Sequence, residues 1–205
     1  MKQKDKQHLL EIYHKSLEQY GDAAEAVHWR EVSQRYRFKV LTEIAPLETA
    51  SVLDYGCGKG DLYRYLIEAG FRGSYTGFDI NPELVALGRS KFPGTRLEVR
   101  DIEQNGIQER FEYVLISGVF NNRVSDNWGM MRGVLKNAFA CATKGLAFNA
   151  ISTYVNFEDP KMFYASPEET FGFCMTQLSP NVVLRHDNLP HNFAIYVYRR
   201  LEWRP

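Results

Sequence analysis

Apolar positions fall at helical spacing over the first 45 residues. Leu9, Leu10, Ile12, Tyr13 and Leu17 form one set, and Trp29, Val32, Tyr36 and Val40 form a second. A break at Tyr20-Gly21-Asp22 separates two helices, and Pro46 closes the second. From Ala50 onward short apolar runs alternate with amphipathic stretches. Strands are expected at Ala50–Tyr55, Ser74–Asp79, Arg96–Arg100, Phe111–Ser117, Lys144–Ile151, Asn181–His186 and Phe193–Arg200. Helices are expected at Asp61–Ala69, Pro82–Lys91, Trp128–Cys141 and Pro167–Thr176, with Asn81 as the cap before Pro82. Strands that alternate with helices imply right-handed crossovers and a parallel sheet covered on both faces. The last two strands are too close in sequence for a crossover helix, so they pair as an antiparallel hairpin at the sheet edge. The expected fold is α/β, Rossmann-like, with seven strands and the last one reversed.

The 205 residues fit one domain, with residues 1–45 as a helical cap and 46–205 as the core. Lys+Arg and Asp+Glu both number 25, so the formal net charge is zero. That balance disfavours a protein whose main affinity is for nucleic-acid phosphates. No run approaches the roughly 18 apolar residues of a membrane helix, and the first residues hold no apolar run of signal-peptide length. Cys57, Cys141 and Cys174 are odd in number and widely spaced, which argues against a disulfide framework or a zinc knuckle. A cytoplasmic protein with no bound metal is expected.

The most informative stretch is SVLDYGCGKGD, residues 51–61, placed between a strand and a helix. Its glycines, Gly56, Gly58 and Gly60, let the backbone approach a ligand closely. The spacing is GxGxG, and Asp61 stands where the dinucleotide pattern GxGxxG needs its third glycine. Asp54 precedes the first glycine by two residues, and a carboxylate there suits a cationic amino group better than a pyrophosphate. Asp79 ends the second strand and is placed to accept from the vicinal hydroxyls of a ribose, with Ile80 beside a base. Asp101, after the third strand, is placed to accept from an exocyclic amine, with Ile102 adding apolar contact. Ligands of open α/β sheets bind outside the carboxyl ends of the strands, where all three acids fall. Taken singly, each acid is equally a helix cap or a solvated loop residue. A tight turn without ligand and a dehydrogenase are the competing readings of the loop.

The segments VLDYGCGKGDLYRYL, YTGFDINPELV and VRDI resemble the class I S-adenosylmethionine-dependent methyltransferases, and the resemblance runs from about residue 30 onward. It implies the strand order 3-2-1-4-5-7-6 with strand 7 reversed, and S-adenosylmethionine as cofactor. It implies that Gly56, Cys57, Gly58 and Gly60 cradle the methionine part. Asp79 then binds the ribose, and Asp101 and Ile102 bracket the adenine amine. Ser117 and Gly118 sit near the sulfonium. Residues 28–38 resemble a helix that caps the cofactor in small bacterial members, which brings in Trp29 and Arg37. Cys57 reads as a small loop residue rather than a nucleophile, since no base is evident near it.

The acceptor is expected above the fourth and fifth strands, between residues 117–128 and 149–169. The second segment carries Tyr154, Phe157, Phe163 and Tyr164, which suit a pocket wall or lid. Family members that methylate exocyclic base amines carry an Asn/Asp-Pro-Pro-aromatic tetrad after strand four; SGVF stands there instead. A small molecule accepting through O or N is favoured, with no nucleic-acid partner. A non-catalytic cofactor-binding protein and a nucleic-acid or protein methyltransferase remain as alternatives. His28, His186 and His191 are the candidate bases, with no preference among them.

Overall fold

A computed structural model of the protein describes residues 1–101, 106–187 and 190–200. Strands β1 (Ser51–Tyr55), β2 (Ser74–Asp79), β3 (Arg96–Val99), β4 (Phe111–Ile116), β5 (Ala142–Ile151), β6 (Val182–Arg185) and β7 (Asn192–Tyr198) form one sheet. Its order is β3-β2-β1-β4-β5-β7-β6. β1 to β5 pair in parallel, while β7 runs antiparallel to both β5 and β6. The central strands read as continuous apolar runs because both faces are covered. Leu53, Val114 and Phe148 are completely buried, and each such side chain contributes about 1.5–3 kcal/mol.

The helices are α1 (Gln3–Tyr20), α2 (Glu31–Thr42), α3 (Asp61–Glu68), α4 (Pro82–Lys91), α5 (Asn127–Cys141) and α6 (Pro167–Gln177). One face of the sheet packs on α5 through Met131, Val134, Leu135, Ala138 and Phe139. The other packs on α2 and α3 through Phe38, Leu41, Leu62 and Leu66. Side-chain caps fix where the chain leaves the strand ends. Asn81 Oδ1 accepts from Glu83 N–H and Leu84 N–H at 2.9 and 3.1 Å, and Asp126 and Ser166 cap α5 and α6.

Element edges differ from the pattern-based expectation by a few residues. β5 starts at Ala142, directly after α5, so helix passes into strand without a loop. The N-terminal break is longer than one turn. A short 3-10 segment, Ala24–Val27, follows Gly21, and His28 then takes the left-handed conformation at φ 63°. This reversal lays α1 across the carboxyl ends of the parallel strands. Lys6 reaches Asp101 after β3 (3.0 Å), and Asp5 accepts from Ser125 Oγ beyond β4 (2.6 Å). Tyr13 accepts from Asn122 Nδ2 (3.1 Å), and His14 meets Glu83 in the first turn of α4 (3.0 Å). Among the described residues, no helix is long and apolar enough to cross a membrane.

Candidate active site

The glycine turn is stitched to the neighbouring strand through its backbone. Gly56 N–H and Cys57 N–H both donate to Phe78 O, at 2.7 and 3.1 Å. Gly58, at φ 52°, donates to Asp79 Oδ2 at 2.8 Å, and Asn81 N–H donates to Asp79 Oδ1 at 2.8 Å. Asp79 is therefore held at the β2 end by both neighbouring loops. Burial raises its pKa, opposed by the backbone N–H groups of Asn81, Gly58 and Ile80. Oδ2 accepts from Gly58 and Oδ1 from Asn81, and the carboxylate keeps capacity for further donors.

Asp54 is 2% exposed and accepts from the Tyr75 hydroxyl at 2.6 Å. Burial pushes its carboxyl up to about 7; the Tyr75 bond opposes the rise and the nearby Asp79 and Asp61 add to it. Asp101 faces the same space with its carboxylate on Lys6. A cavity runs along these acids. Asp54, Gly56, Cys57 and Gly58 line it from the turn, and Asp79, Ile80 and Asp101 from the ends of β2 and β3. Ser117, Gly118 and Trp29 close its far end, while Leu9, Leu10 and Tyr13 of α1 cover it. Ile102 lies outside the described residues.

Two residues that the sequence assigns to this site stand elsewhere. Gly60 is the left-handed N-cap of α3 at φ 81°, backed by the Phe92 ring, and does not line the cavity. Arg37 lines a second cavity of about 430 Å³ above the ends of β4 and β5. Its guanidinium lies 3.9 Å from the Trp29 ring centre. The two cavities meet at a neck formed by Tyr13, Val27, Trp29, Gly118 and Asn122, which line both. Gly118 sits there at φ 74°, and a Cβ on it would lie 2.8 Å from the Trp29 ring. A side chain here would press on the indole, so the position calls for glycine.

Of the loop aromatics, Phe157 and Tyr164 line the second cavity. Phe163 is buried edge-on against Trp128, and Tyr154 bonds Glu168. His28 and His191 line the second cavity; His186 instead bonds Ser152 Oγ at 2.8 Å and stacks on Phe193. His28 lies 5.3 Å from the Tyr13 ring, and partial desolvation lowers its pKa. Burial pushes the Tyr13 hydroxyl up to about 12. Cys57 is buried, and burial holds its thiol well above the ordinary value, so it supplies no thiolate.

Several residues that shape the site carry little mark in the sequence. Lys59 is completely buried, with Nζ 2.7 Å from Asp61 Oδ2, and Gln34 Nε2 donates to the same carboxylate at 3.2 Å. A lysine inside a glycine run is the available signal. Asn149 at the end of β5 accepts from Gly118 N–H (2.9 Å) and donates to Ser117 Oγ (3.4 Å), fixing the turn after β4. Among the described residues no cluster of His, Cys, Asp or Glu is fit to hold a metal ion.

A seven-stranded sheet with one reversed edge strand, a glycine turn after β1 and acids on the next two strand ends define a Rossmann-like enzyme that takes a nucleoside cofactor. Residues 47–179 match a family model described as methyltransferase domain. The chain is 32% identical over 153 residues to Mycobacterium tuberculosis Rv1506c, named as a putative methyltransferase, covering 72% of this chain and 92% of that protein. Among solved structures, magnesium protoporphyrin IX methyltransferase from Synechocystis with bound SAM superposes with a TM-score of 0.68 at 14% identity, over 96% of this chain and 97% of that one. DhpI in complex with SAH gives 0.70 at 14% identity, again over 96% and 97%. The likeness to these two structures is one of fold. The chain belongs to the class I S-adenosylmethionine-dependent methyltransferases.

Proposed function

We propose that this enzyme moves the methyl group of S-adenosylmethionine to an oxygen or nitrogen of a small molecule, with the cofactor in the first cavity and the acceptor in the second. The observation that carries the reading is the neck at Gly118 and Trp29, which joins the acid-lined cavity to an aromatic-walled one. Asp54 faces the amino group of the cofactor, and the Gly56–Gly58 turn follows its methionine chain. Asp79 accepts from the ribose hydroxyls, Ile80 covers the base, and Asp101 takes the adenine amine. Ser117, Gly118 and Trp29 surround the sulfonium. When bound, the cofactor supplies an electrophilic methyl group and a thioether leaving group.

The chain then has three tasks. Asn149 and the glycine turn hold the two reactants in line, and positioning of this kind accounts for roughly 7–11 kcal/mol of a barrier. Trp29 and Tyr13 present aromatic faces at the neck, which favours a sulfonium by cation–π attraction. α1 covers the first cavity and excludes water, with Tyr13 reaching the second and residues 1–45 acting as the cap of the 46–205 core. Tyr13, whose proton is held tightly, is no base. His28 is neutral near pH 7 and lies beside it, so it takes the proton when the acceptor must lose one. The unpaired thiols of Cys57, Cys141 and Cys174 support a reducing, cytoplasmic setting.

Calorimetry with S-adenosylmethionine and with NAD tests the cofactor half, and a metabolite screen read by S-adenosylhomocysteine release tests the acceptor half. Binding of the sulfonium cofactor alone, and turnover with a small molecule, are expected. NAD binding without S-adenosylmethionine binding would reverse the reading.

A further inference from the structure

The second cavity holds a positive charge that pairs with no carboxylate among the described residues. Arg37 is half-buried; its Nε donates to Asn192 Oδ1 at 3.3 Å, and one terminal nitrogen donates to Ser33 O at 3.0 Å. Its remaining guanidinium donors have no hydrogen-bond partner among the described residues, and no carboxylate pairs with it there. Burial draws its pKa down to about 10, the mark of a cation kept from water without compensation. Asp159, the acid on the cavity wall, is exposed and turns Oδ1 to Lys161 N–H at 2.8 Å. The other titratable groups on the wall are Tyr13, Tyr164, His28 and His191.

Asn121 supplies a second, independent sign. It lines the same cavity at 4% exposure, and its Oδ1 is the buried side-chain oxygen without a hydrogen-bond partner among the described residues. Buried oxygens are rarely left so, and the deficit is met when a ligand brings a donor. Trp29, Phe157, Met162 and Tyr164 give the rest of the wall an apolar character, and the volume suits a body of one or two rings.

Resting on the acceptor reading of this cavity, we infer that the methyl acceptor is a small organic acid with an apolar body, its anionic oxygens held by Arg37 and a hydroxyl or amine hydrogen given to Asn121. A planar guanidinium stacked on an indole is stiff, and its free edge matches the paired oxygens of a carboxylate or phosphoryl group. The cavity then discriminates by charge at one end and by a hydrogen-bond donor at the other. Arg37 serves the acceptor and not the cofactor. It stands beside Trp29, as the sequence suggests, with its guanidinium on the wall of the other cavity.

The test measures binding of para-hydroxybenzoate, phenyl phosphate and the neutral para-hydroxybenzamide by ligand-observed NMR, on the free protein and on the S-adenosylhomocysteine complex. One or both anions should bind in the millimolar range or tighter, about tenfold or more above the amide; which anion binds separates carboxylate from phosphoryl recognition. Arg37→Gln should abolish that preference and Arg37→Lys should retain part of it, with circular dichroism reporting that both variants fold. Asn121→Leu should weaken para-hydroxybenzoate relative to benzoate. Failure of the anions to bind, equal binding of acid and amide, or a preference that survives Arg37→Gln overturns the inference. Loss of S-adenosylhomocysteine binding alone would overturn the methyl-transfer reading, while the acid–amide comparison on the free protein still decides the role of Arg37.

Discussion

Cofactor affinity should rise with pH through neutrality, and Asp54 is the reason. Burial lifts its carboxyl from the ordinary 3.8 to about 7, so the free protein at pH 6 holds Asp54 mostly protonated. A carboxyl whose folded pKa is raised binds its proton more tightly in the fold than in the unfolded chain. Its contribution to stability is therefore largest at low pH and falls as pH rises from 3.8 toward 7. An ammonium group beside it reverses the preference, since a nearby cation favours the ionised form. If only ionised Asp54 receives the cofactor, the competent fraction is about one tenth at pH 6 and about three quarters at pH 7.5. The apparent affinity for S-adenosylhomocysteine should then increase about eightfold over that interval. Calorimetry in two buffers of different ionisation enthalpy would also register the released proton. Asp54→Asn should bind more weakly at pH 7.5 and show a flat profile. A flat wild-type profile, or a slope that persists in Asp54→Asn, would refute the assignment.

Asp79→Ala should weaken S-adenosylhomocysteine binding by about 1.5–3 kcal/mol, read by calorimetry, because it removes charged acceptors and leaves the N–H groups of Gly58 and Asn81 unpaired. Gly118→Ala should lower stability by about 1–2 kcal/mol from its positive φ alone and narrow the neck against Trp29; a thermal melt and a transfer assay check both effects. Bound S-adenosylhomocysteine should slow tryptic cleavage at Lys4, Lys6 and Lys15 of α1, followed by mass spectrometry, because Leu9, Leu10 and Tyr13 cover the cofactor cavity. With an acceptor that must lose a proton, His28→Gln should cut turnover about a hundredfold and erase the acidic limb of the rate profile, a limb centred below the ordinary imidazole value of 6.5.

The sheet is legible in the sequence because its signals are local. β2 and α4 match their expected bounds, since alternation, Asn81 and Pro82 mark both ends within a few residues. The positions of Asp54, Asp79 and Asp101 on one cavity follow from the same logic, because parallel strands bring successive strand ends to one edge of the sheet. What escapes the sequence is long-range. Tyr75 points at Asp54 because β1 and β2 pair in register, and Asn149 reaches Gly118 because β4 and β5 do. The sequence places Arg37 and Trp29 on one helix; Trp29 instead precedes α2, and the guanidinium still lies over its ring. Which cavity the guanidinium then serves depends on the left-handed turn at His28 and on the angle of α2, neither of which a hydrophobic pattern encodes.

α1 is held to the strand ends by few fully buried side chains and by several polar contacts. α1 buries only Leu9 and Ser16 of its own residues, and one apolar side chain contributes about 1.5–3 kcal/mol. Several of its other ties to the core are polar. The Lys6–Asp101 pair is part-exposed, and pairs of that kind give about 0–1 kcal/mol. Tyr13 and Asn122 add a single neutral hydrogen bond, worth about 0.5–1.5 kcal/mol. With the Asp5–Ser125 and His14–Glu83 contacts and the partly buried Leu10, Ile12, Tyr13 and Leu17 added, these ties stay below the burial holding the central strands, so α1 is expected to open before the sheet does. Leu10 and Tyr13 are only partly buried and face the cavity, so a bound ligand completes their burial. A ligand in this cavity is thus expected to tighten α1 against the core. On the proposed cofactor reading, a donor brought to Asp101 by the ligand competes with Lys6 for that carboxylate, so cofactor binding is expected to change the hold of α1 on the β3 end.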